Sequence, residues 1–186
     1  MGLLCAVLTG CVSAPSRLQA VIETPTATSN QITAQVVPID TSFPWSLDRK
    51  PWGFNLSAYF TAFELLIQNQ TSETLSFDPS QTTLTDRRGR IYAPLNEKEG
   101  VQYYMNNVHP PLLPWWPQSD ARISEETQKI VTRRVVAQTL SAGQSMRGVL
   151  YFKRVHPSYC DKMVLALPVD IRNTERALTF SFSCRP

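Results

Sequence analysis

The chain has no apolar run long enough to cross a bilayer as a helix. A spanning helix needs about 20 predominantly apolar residues, and no run here approaches that length. Histidine is scarce, with 2 residues, and the net charge of +3 comes from basic residues scattered along the chain. Without a basic stripe, binding to nucleic acid is not expected. A hydrophobic content of 42% is nevertheless enough for a buried core.

Glycine is sparse and proline frequent, with 7 and 14 residues, which favours strands and loops over long helices. Alternating apolar residues bounded by turn residues predict strands over 32–39, 57–70, 73–79, 82–95, 145–154, 162–169 and 177–184. The last of these alternates throughout, so that Cys184 shares a face with its apolar residues. Within 82–95, Gly89 can supply the positive φ of a tight hairpin.

An insert of different character separates the two groups of strands. Residues 96–107 are expected to form a short helix, whereas 109–117 contain four prolines and cannot be regular. Residues 124–140 are predicted to be a helix that begins at an N-cap, Ser124. The β-branched residues near Val135 could equally start a strand. The whole pattern indicates a mainly β fold, an immunoglobulin-like Greek-key β-sandwich with a short helical, Pro/Trp-rich insert.

The N-terminus carries a pattern typical of bacterial export. The apolar run from Gly2 to Gly10 resembles the core of a signal peptide, and residues 8–11, LTGC, match the lipobox of bacterial lipoproteins. We therefore expect residues 1–10 to be removed and Cys11 to be lipidated. No Lys or Arg precedes the run, which suggests a start codon further upstream. Val12, where an Asp would favour inner-membrane retention, indicates the outer membrane, facing the periplasm.

The residues after the signal divide into a tether and a domain. Residues 11–30 are rich in Ser, Thr, Ala and Pro and predict a flexible tether, which leaves 31–186 as the sandwich domain. Once Cys11 is acylated, Cys160 and Cys184 are the two thiols left in an oxidising compartment. A disulfide between them is the simple outcome, and two free buried thiols are the alternative.

Two further segments carry a resemblance to a known group. In one, Leu84, Asp86, Gly89 and Tyr92 form the pattern L-x-D-x-x-G-x-x-Y. In the other, Leu140, Gly143, Gly148 and Phe152 form L-x-x-G-x-x-x-x-G-x-x-x-F. Over about residues 57–184 the chain resembles bacterial lipoproteins that have an immunoglobulin-like domain and no assigned activity. The resemblance implies a fold and no catalytic residue.

The residues offer little material for catalysis or metal binding. His109 and His156 each stand beside a proline, without the converging ligands that a metal site needs. No G-x-S-x-G nucleophile motif occurs. The acidic pairs at 97/99 and 125/126 suit solvated helix starts better than acid–base chemistry. We expect no enzyme, no cofactor and no metal; an envelope hydrolase is the competing class.

All four tryptophans lie in proline-flanked loop segments. The most apolar of these segments contains Leu112, Leu113, Trp115 and Trp116 and is the candidate partner-binding loop. The alternative is that these rings cap the open end of the sandwich. The expected function is a membrane-anchored accessory or protein-binding module of an envelope assembly, attached through its lipid. A small secretion-machine lipoprotein that docks a membrane-spanning partner is the second candidate.

Overall fold

The computed structural model describes residues 17–20, 26–29, 31–40, 52–107, 120–172 and 174–185. Within these residues the chain forms strands and two helices in the following order: β1 (Arg17–Ala20), β2 (Thr26–Ser29), β3 (Ile32–Pro38), β4 (Phe60–Asn69), β5 (Leu75–Phe77), β6 (Thr83–Thr85), β7 (Ile91–Tyr92), α1 (Glu97–Asn107), α2 (Asp120–Arg133), β8 (Gln138–Leu140), β9 (Ser145–Lys153), β10 (Met163–Ile171) and β11 (Thr174–Arg185).

The strands form two sheets that pack face to face. One sheet has the order β2-β3-β4-β9. In the other, β1 pairs with β11 and β11 with β10, while the far edge of β10 is shared by β5 and β6. Strands β8 and β7 extend this edge beyond β5 and β6 respectively. All these ladders are antiparallel, which confirms a mainly β, two-sheet architecture.

The main core lies between the two sheets. Phe63 of β4 packs on Phe182 of β11 with ring centroids 4.7 Å apart, and both side chains are buried. Leu178 and Phe180 lie in the same core, with Cys184 packed against it. The alternation predicted for this strand is therefore confirmed, since the apolar set faces the opposite sheet.

A second core covers the outer face of the β2-β3-β4-β9 sheet. Phe60 of β4 and Tyr151 of β9 point away from the main core and pack with Tyr104 of α1 and Ile130 of α2. Trp52 joins them, with its ring 6.2 Å from that of Tyr151 in an edge-to-face arrangement. Strands β4 and β9 are consequently buried on both faces, which explains the consecutive buried residues in β9.

Two predicted boundaries are wrong. The helix α2 begins at Asp120, so Ser124 lies inside it rather than at its N-cap. Ile123 already packs against the second core, about one turn before the buried Glu126. The helix ends at Arg133 because Val135 leaves it to enter the main core, and residues 138–140 then pair with β5. The alternative of a strand after residue 135 is therefore the correct one.

The predicted tether also contains two strands. Residues 17–20 pair with the end of β11, and residues 26–29 pair with β3. Both are edge strands of four residues, RLQA and TATS, which is too short for an alternating apolar pattern to show in the sequence. The rest of the predicted tether and the predicted signal, Cys11 included, lie outside the described residues.

Candidate functional site

The turn between β6 and β7 is built around the buried carboxylate of Asp86. Its Oδ1 accepts hydrogen bonds from the N–H groups of Arg88 (2.8 Å) and Arg90 (3.0 Å), and its Oδ2 accepts one from the Tyr92 hydroxyl (2.9 Å). Gly89 has φ +77°, a conformation that few residues other than glycine adopt readily. This gives a physical meaning to the L-x-D-x-x-G-x-x-Y pattern: Asp, Gly and Tyr together build one turn.

Opposing effects act on the pKa of Asp86. Burial alone would raise the pKa of this carboxyl, but the hydrogen bonds from Arg90 N–H, Tyr92 and Arg88 N–H outweigh it and lower the pKa. The Arg90 guanidinium, with Nε 3.4 Å from Oδ2, acts in the same direction. Burial, and then the bond to Asp86, raise the pKa of Tyr92. The carboxylate therefore stays ionised and holds the turn in shape.

The arginines of this turn pack on the loop that precedes β10. The guanidinium carbons of Arg88 and Arg90 lie 4.1 and 4.2 Å from the centre of the Tyr159 ring, within cation–π distance. Arg87 forms an ion pair of 2.6 Å with Asp161. The turn and the loop are thus one surface, in which aromatic stacking orders two exposed cations.

A disulfide fastens this loop to the last strand. Cys160 and Cys184 are bonded, and the Cys184 N–H donates to the Cys160 carbonyl at 2.7 Å. The prediction of this pairing is confirmed, and both residues lie in or against the core, as the alternation of β11 implied. We refer to this end of the sandwich as the disulfide end.

Further basic residues lie at the same end. Lys153 is the last residue of β9, Arg154 follows it, and Lys162 precedes β10. Arg154 lines one small cavity together with both cysteines. The exposed basic side chains of the disulfide end are Arg87, Arg88, Arg90, Lys153, Arg154 and Lys162, and we call them the basic cluster.

The first described strand begins at this end. Arg17, the first residue of β1, stands opposite Arg185, and Leu18 stands opposite Cys184. Because β1 runs antiparallel to β11, the first residue of β1 lies at the disulfide end. Cys11 itself lies outside the described residues, but it precedes Arg17 by only six positions.

The direction of α1 follows from two of its contacts with β9 and the residues around it. Glu97, at the start of α1, lies 3.8 Å from Arg134, which bridges to Val149 in the middle of β9. One and a half turns later, the Tyr103 hydroxyl accepts a hydrogen bond from the Arg154 N–H. Helix α1 therefore runs toward the disulfide end. The segment between α1 and α2, with Leu112, Leu113, Trp115, Trp116 and His109, lies outside the described residues.

The helices are joined by a buried polar contact that the sequence did not reveal. Glu126 of α2 accepts a hydrogen bond from the Tyr104 hydroxyl of α1, and both side chains are buried. Arg122 donates from Nε to the other carboxylate oxygen at 2.8 Å. Burial, followed by the bond to Glu126, raises the pKa of Tyr104. The 125/126 acidic pair thus divides into one structural residue and one, Glu125, paired with Lys129 at the surface.

Two of the cavities lined by described residues differ in size and in the groups that line them. One of about 190 Å³ lies between the edge of β9 and residues 134–137, and Arg134 and Tyr151 are among its lining residues. The Tyr151 hydroxyl and the Arg134 Nε are buried without a hydrogen-bond partner. A more open hollow of about 540 Å³ at the opposite end is lined by Gln31 and by the ion pair of Glu73 with Arg172.

His156 and the acidic residues do not converge on a metal or catalytic site in the part of the chain that the structure describes. His156 is exposed, and its Nδ1 accepts a hydrogen bond from the Ser158 N–H at 3.2 Å. No group of three or more His, Cys, Asp or Glu residues within the described ranges could hold a metal ion. Neither described helix is long and apolar enough to cross a membrane.

Comparisons with known proteins give two distant structural likenesses. No protein-family model and no curated protein matches the chain. The crystal structure of ycdA from Bacillus subtilis, described as a candidate lipoprotein, is similar with a TM-score of 0.46 and 12% identity, over 84% of this chain. The yjhA protein from Bacillus subtilis is similar with a TM-score of 0.35 and 11% identity, over 83% of this chain and 73% of its own. This chain spans 38% of the length of ycdA, and no function is transferred from either protein.

Proposed function

We propose that the protein is a lipid-anchored, non-enzymatic module of the bacterial envelope, attached to the outer membrane on its periplasmic side. In this proposal residues 1–10 are removed and Cys11 carries the lipid. The two-sheet sandwich would have the immunoglobulin-like Greek-key connectivity and serve as an accessory or protein-binding domain. The alternative is a secretion-machine lipoprotein that docks a membrane-spanning partner.

One observation carries the anchoring. The lipobox ends at Cys11, and the first described strand begins six residues later, at the disulfide end. Six residues of extended chain span at most about 22 Å. An acyl group on Cys11 would therefore hold this end of the sandwich close to the bilayer, with the opposite end directed away from it.

The anchoring is tested by labelling cells with a palmitate analogue and comparing two cysteine variants. We expect the wild-type protein and Cys5→Ser to be labelled and to sediment with membranes, because Cys5 lies in the segment to be removed. The Cys11→Ser variant should lose the label and should no longer sediment with the membranes. Label retained in Cys11→Ser, or lost equally in both variants, contradicts lipidation at Cys11.

Partner binding is proposed for the segment with Leu112, Leu113, Trp115 and Trp116. The ends of α1 and α2 that flank this segment are joined through Tyr104 and Glu126, so the segment leaves from a rigid base. Crosslinking with the intact chain and with Trp115→Ala/Trp116→Ala should recover a defined envelope partner only with the former. Equal recovery would discard this loop as the binding element.

A further inference from the structure

We infer that the disulfide end is an electrostatic contact surface for a bilayer that carries anionic phospholipids. The basic cluster would lie on the lipid headgroups and set the orientation of the domain on its membrane. The inference rests on the proposed anchor at Cys11 for its biological setting. Its physical basis is separate, because it depends on charges within the described sandwich.

The charge at this end is positive and exposed. The six side chains of the basic cluster are all exposed, and the register of β1 with β11 brings the main chain of Arg17 and Arg185 to the same end. Of the acidic residues beside the cluster, Asp86 is buried and Asp161 is paired with Arg87. Asp40, just after β3, is a further acidic residue at this end. Cationic side chains therefore predominate over anionic ones.

The opposite end of the sandwich has no comparable surplus among its described residues. Arg172 in the β10–β11 turn pairs with Glu73 at 2.7 Å, and Glu175 and Arg176 stand close by in β11. Arg147 on β9 pairs with Glu64 at 2.8 Å. Asp170, which stands opposite Glu175 in the β10–β11 ladder, is a further acidic residue at this end. This end therefore carries no surplus of positive charge, and the charge of the sandwich is asymmetric along its long axis.

The arginines of the β6–β7 turn, which form half of the basic cluster, are ordered before any contact is made. Asp86 fixes the main chain of the turn, Tyr159 stacks with two of its guanidinium groups, and the Cys160–Cys184 bond holds the loop that carries Tyr159. Binding to a partner therefore costs these arginine side chains little further conformational entropy. Ile91, which is 70% exposed, stands next to Arg90 and adds an apolar side chain of the kind that enters a headgroup region.

Geometry decides in favour of a membrane as the anionic partner. Strand β1 begins at the same end as the basic cluster, and the proposed lipid on Cys11 would lie within about 22 Å of Arg17. Basic residues close to an anionic bilayer are attracted within a Debye length of roughly 8 Å at physiological salt. Anchor and charge would therefore act on one face, which makes the binding bivalent.

The test uses the full chain with Cys11→Ser and vesicles of phosphatidylcholine alone or mixed with phosphatidylglycerol. The substitution removes the lipid, so any preference for phosphatidylglycerol reports the protein surface. We expect tighter binding to the anionic vesicles, weakened by salt. Arg88→Gln/Lys162→Gln should reduce that binding by about 10- to 30-fold, since each cation contributes about a five-fold factor.

The matched control is Arg147→Gln/Arg172→Gln, which removes the same two charges elsewhere and should bind nearly as the parent. Lys153→Gln/Lys162→Gln provides a second test that leaves the Tyr159 stacking intact, in case the first variant is unfolded. Binding that does not depend on phosphatidylglycerol, or an equal loss in the control, overturns the inference. Palmitate labelling of the wild type decides the anchor independently, so either proposal can fail without the other.

Discussion

Gly148 in the middle of β9 lies where Val135 enters the main core, and replacing it with alanine tests the packing there. A Cβ at this position would come within 2.6 Å of Val135 Cγ2 and within 3.0 Å of Val135 Cα and N. The valine side chain could rotate, but its main chain is bonded to β9 through Val135 N–H to Val149 O at 3.0 Å. The clash therefore has to move the segment that links α2 to β8.

We expect Gly148→Ala to lower the free energy of unfolding by about 3 kcal/mol, the upper part of the usual range for overpacking. Urea unfolding followed by circular dichroism measures it. Gly100→Ala is the control: its Cβ would meet Ile130 Cγ2 at 3.8 Å and Leu95 Cβ at 4.0 Å, both ordinary contacts. It lies within α1, so alanine should stabilise by about 0.5–1 kcal/mol.

Val135→Ala in the Gly148→Ala background separates the two contacts. It removes the 2.6 Å contact with Cγ2 but leaves both 3.0 Å contacts with the main chain, so only partial recovery is expected. Gly148→Ala as stable as the wild type would refute this account of the β9 edge. Full recovery in the double variant would show that the main chain is not strained.

Three further predictions concern the polar groups and the disulfide. Asn69→Ala should destabilise by about 3 kcal/mol in urea, because its buried amide donates to the Glu73 carbonyl at 2.7 Å and to the Leu140 carbonyl at 3.0 Å; Gln70→Ala is the exposed control. Cys160→Ser/Cys184→Ser should lower the thermal midpoint of unfolding. The disulfide joins residues 24 positions apart, and closing a loop of that length contributes about 3 kcal/mol to the stability of the folded state. An unchanged midpoint would contradict this. The lowered pKa of Asp86 stabilises the folded state above the unfolded value of about 3.9, and that stability is lost as pH falls through the folded pKa. Asp86→Asn should therefore be less stable than the wild type at pH 6, and unfolding curves at pH 3 should bring the two closer together.

The parts of the fold that were predictable are those in which one strand or helix carries its own pattern. The alternation of β11 placed Cys184 against the core, and with Cys11 expected to be lipidated, Cys160 was its expected partner. Gly89 marked its turn because few other residues adopt φ +77°. These features depend on local spacing, which is visible in one sequence.

The features that could not be predicted depend on contacts between distant segments. Strands β1 and β2 have only four residues each, and pairing with β11 and β3 makes them strands. The second core, with Tyr104 against Glu126, arises because the helices cover the outer face of a sheet. The end of α2 follows from Val135 fitting over Gly148, which requires the two residues to meet across the fold.

The basic cluster shows the same limit at the level of function. Its arginines and lysines are scattered in sequence, which argued against a charged surface for nucleic acid, and no stripe exists on any one strand. The antiparallel connections nevertheless bring 87–90, 153–154 and 162 to one end. A charge distribution of this kind becomes visible only when the strand order is known.

The central claim is that the chain is held to a membrane by a lipid on Cys11. The most direct measurement is the mass of the N-terminal peptide of the protein purified from its native membrane. The account predicts a peptide that begins at Cys11 and carries the mass of a diacylglyceryl group. A peptide that retains residues 1–10, or an unmodified Cys11, would contradict it.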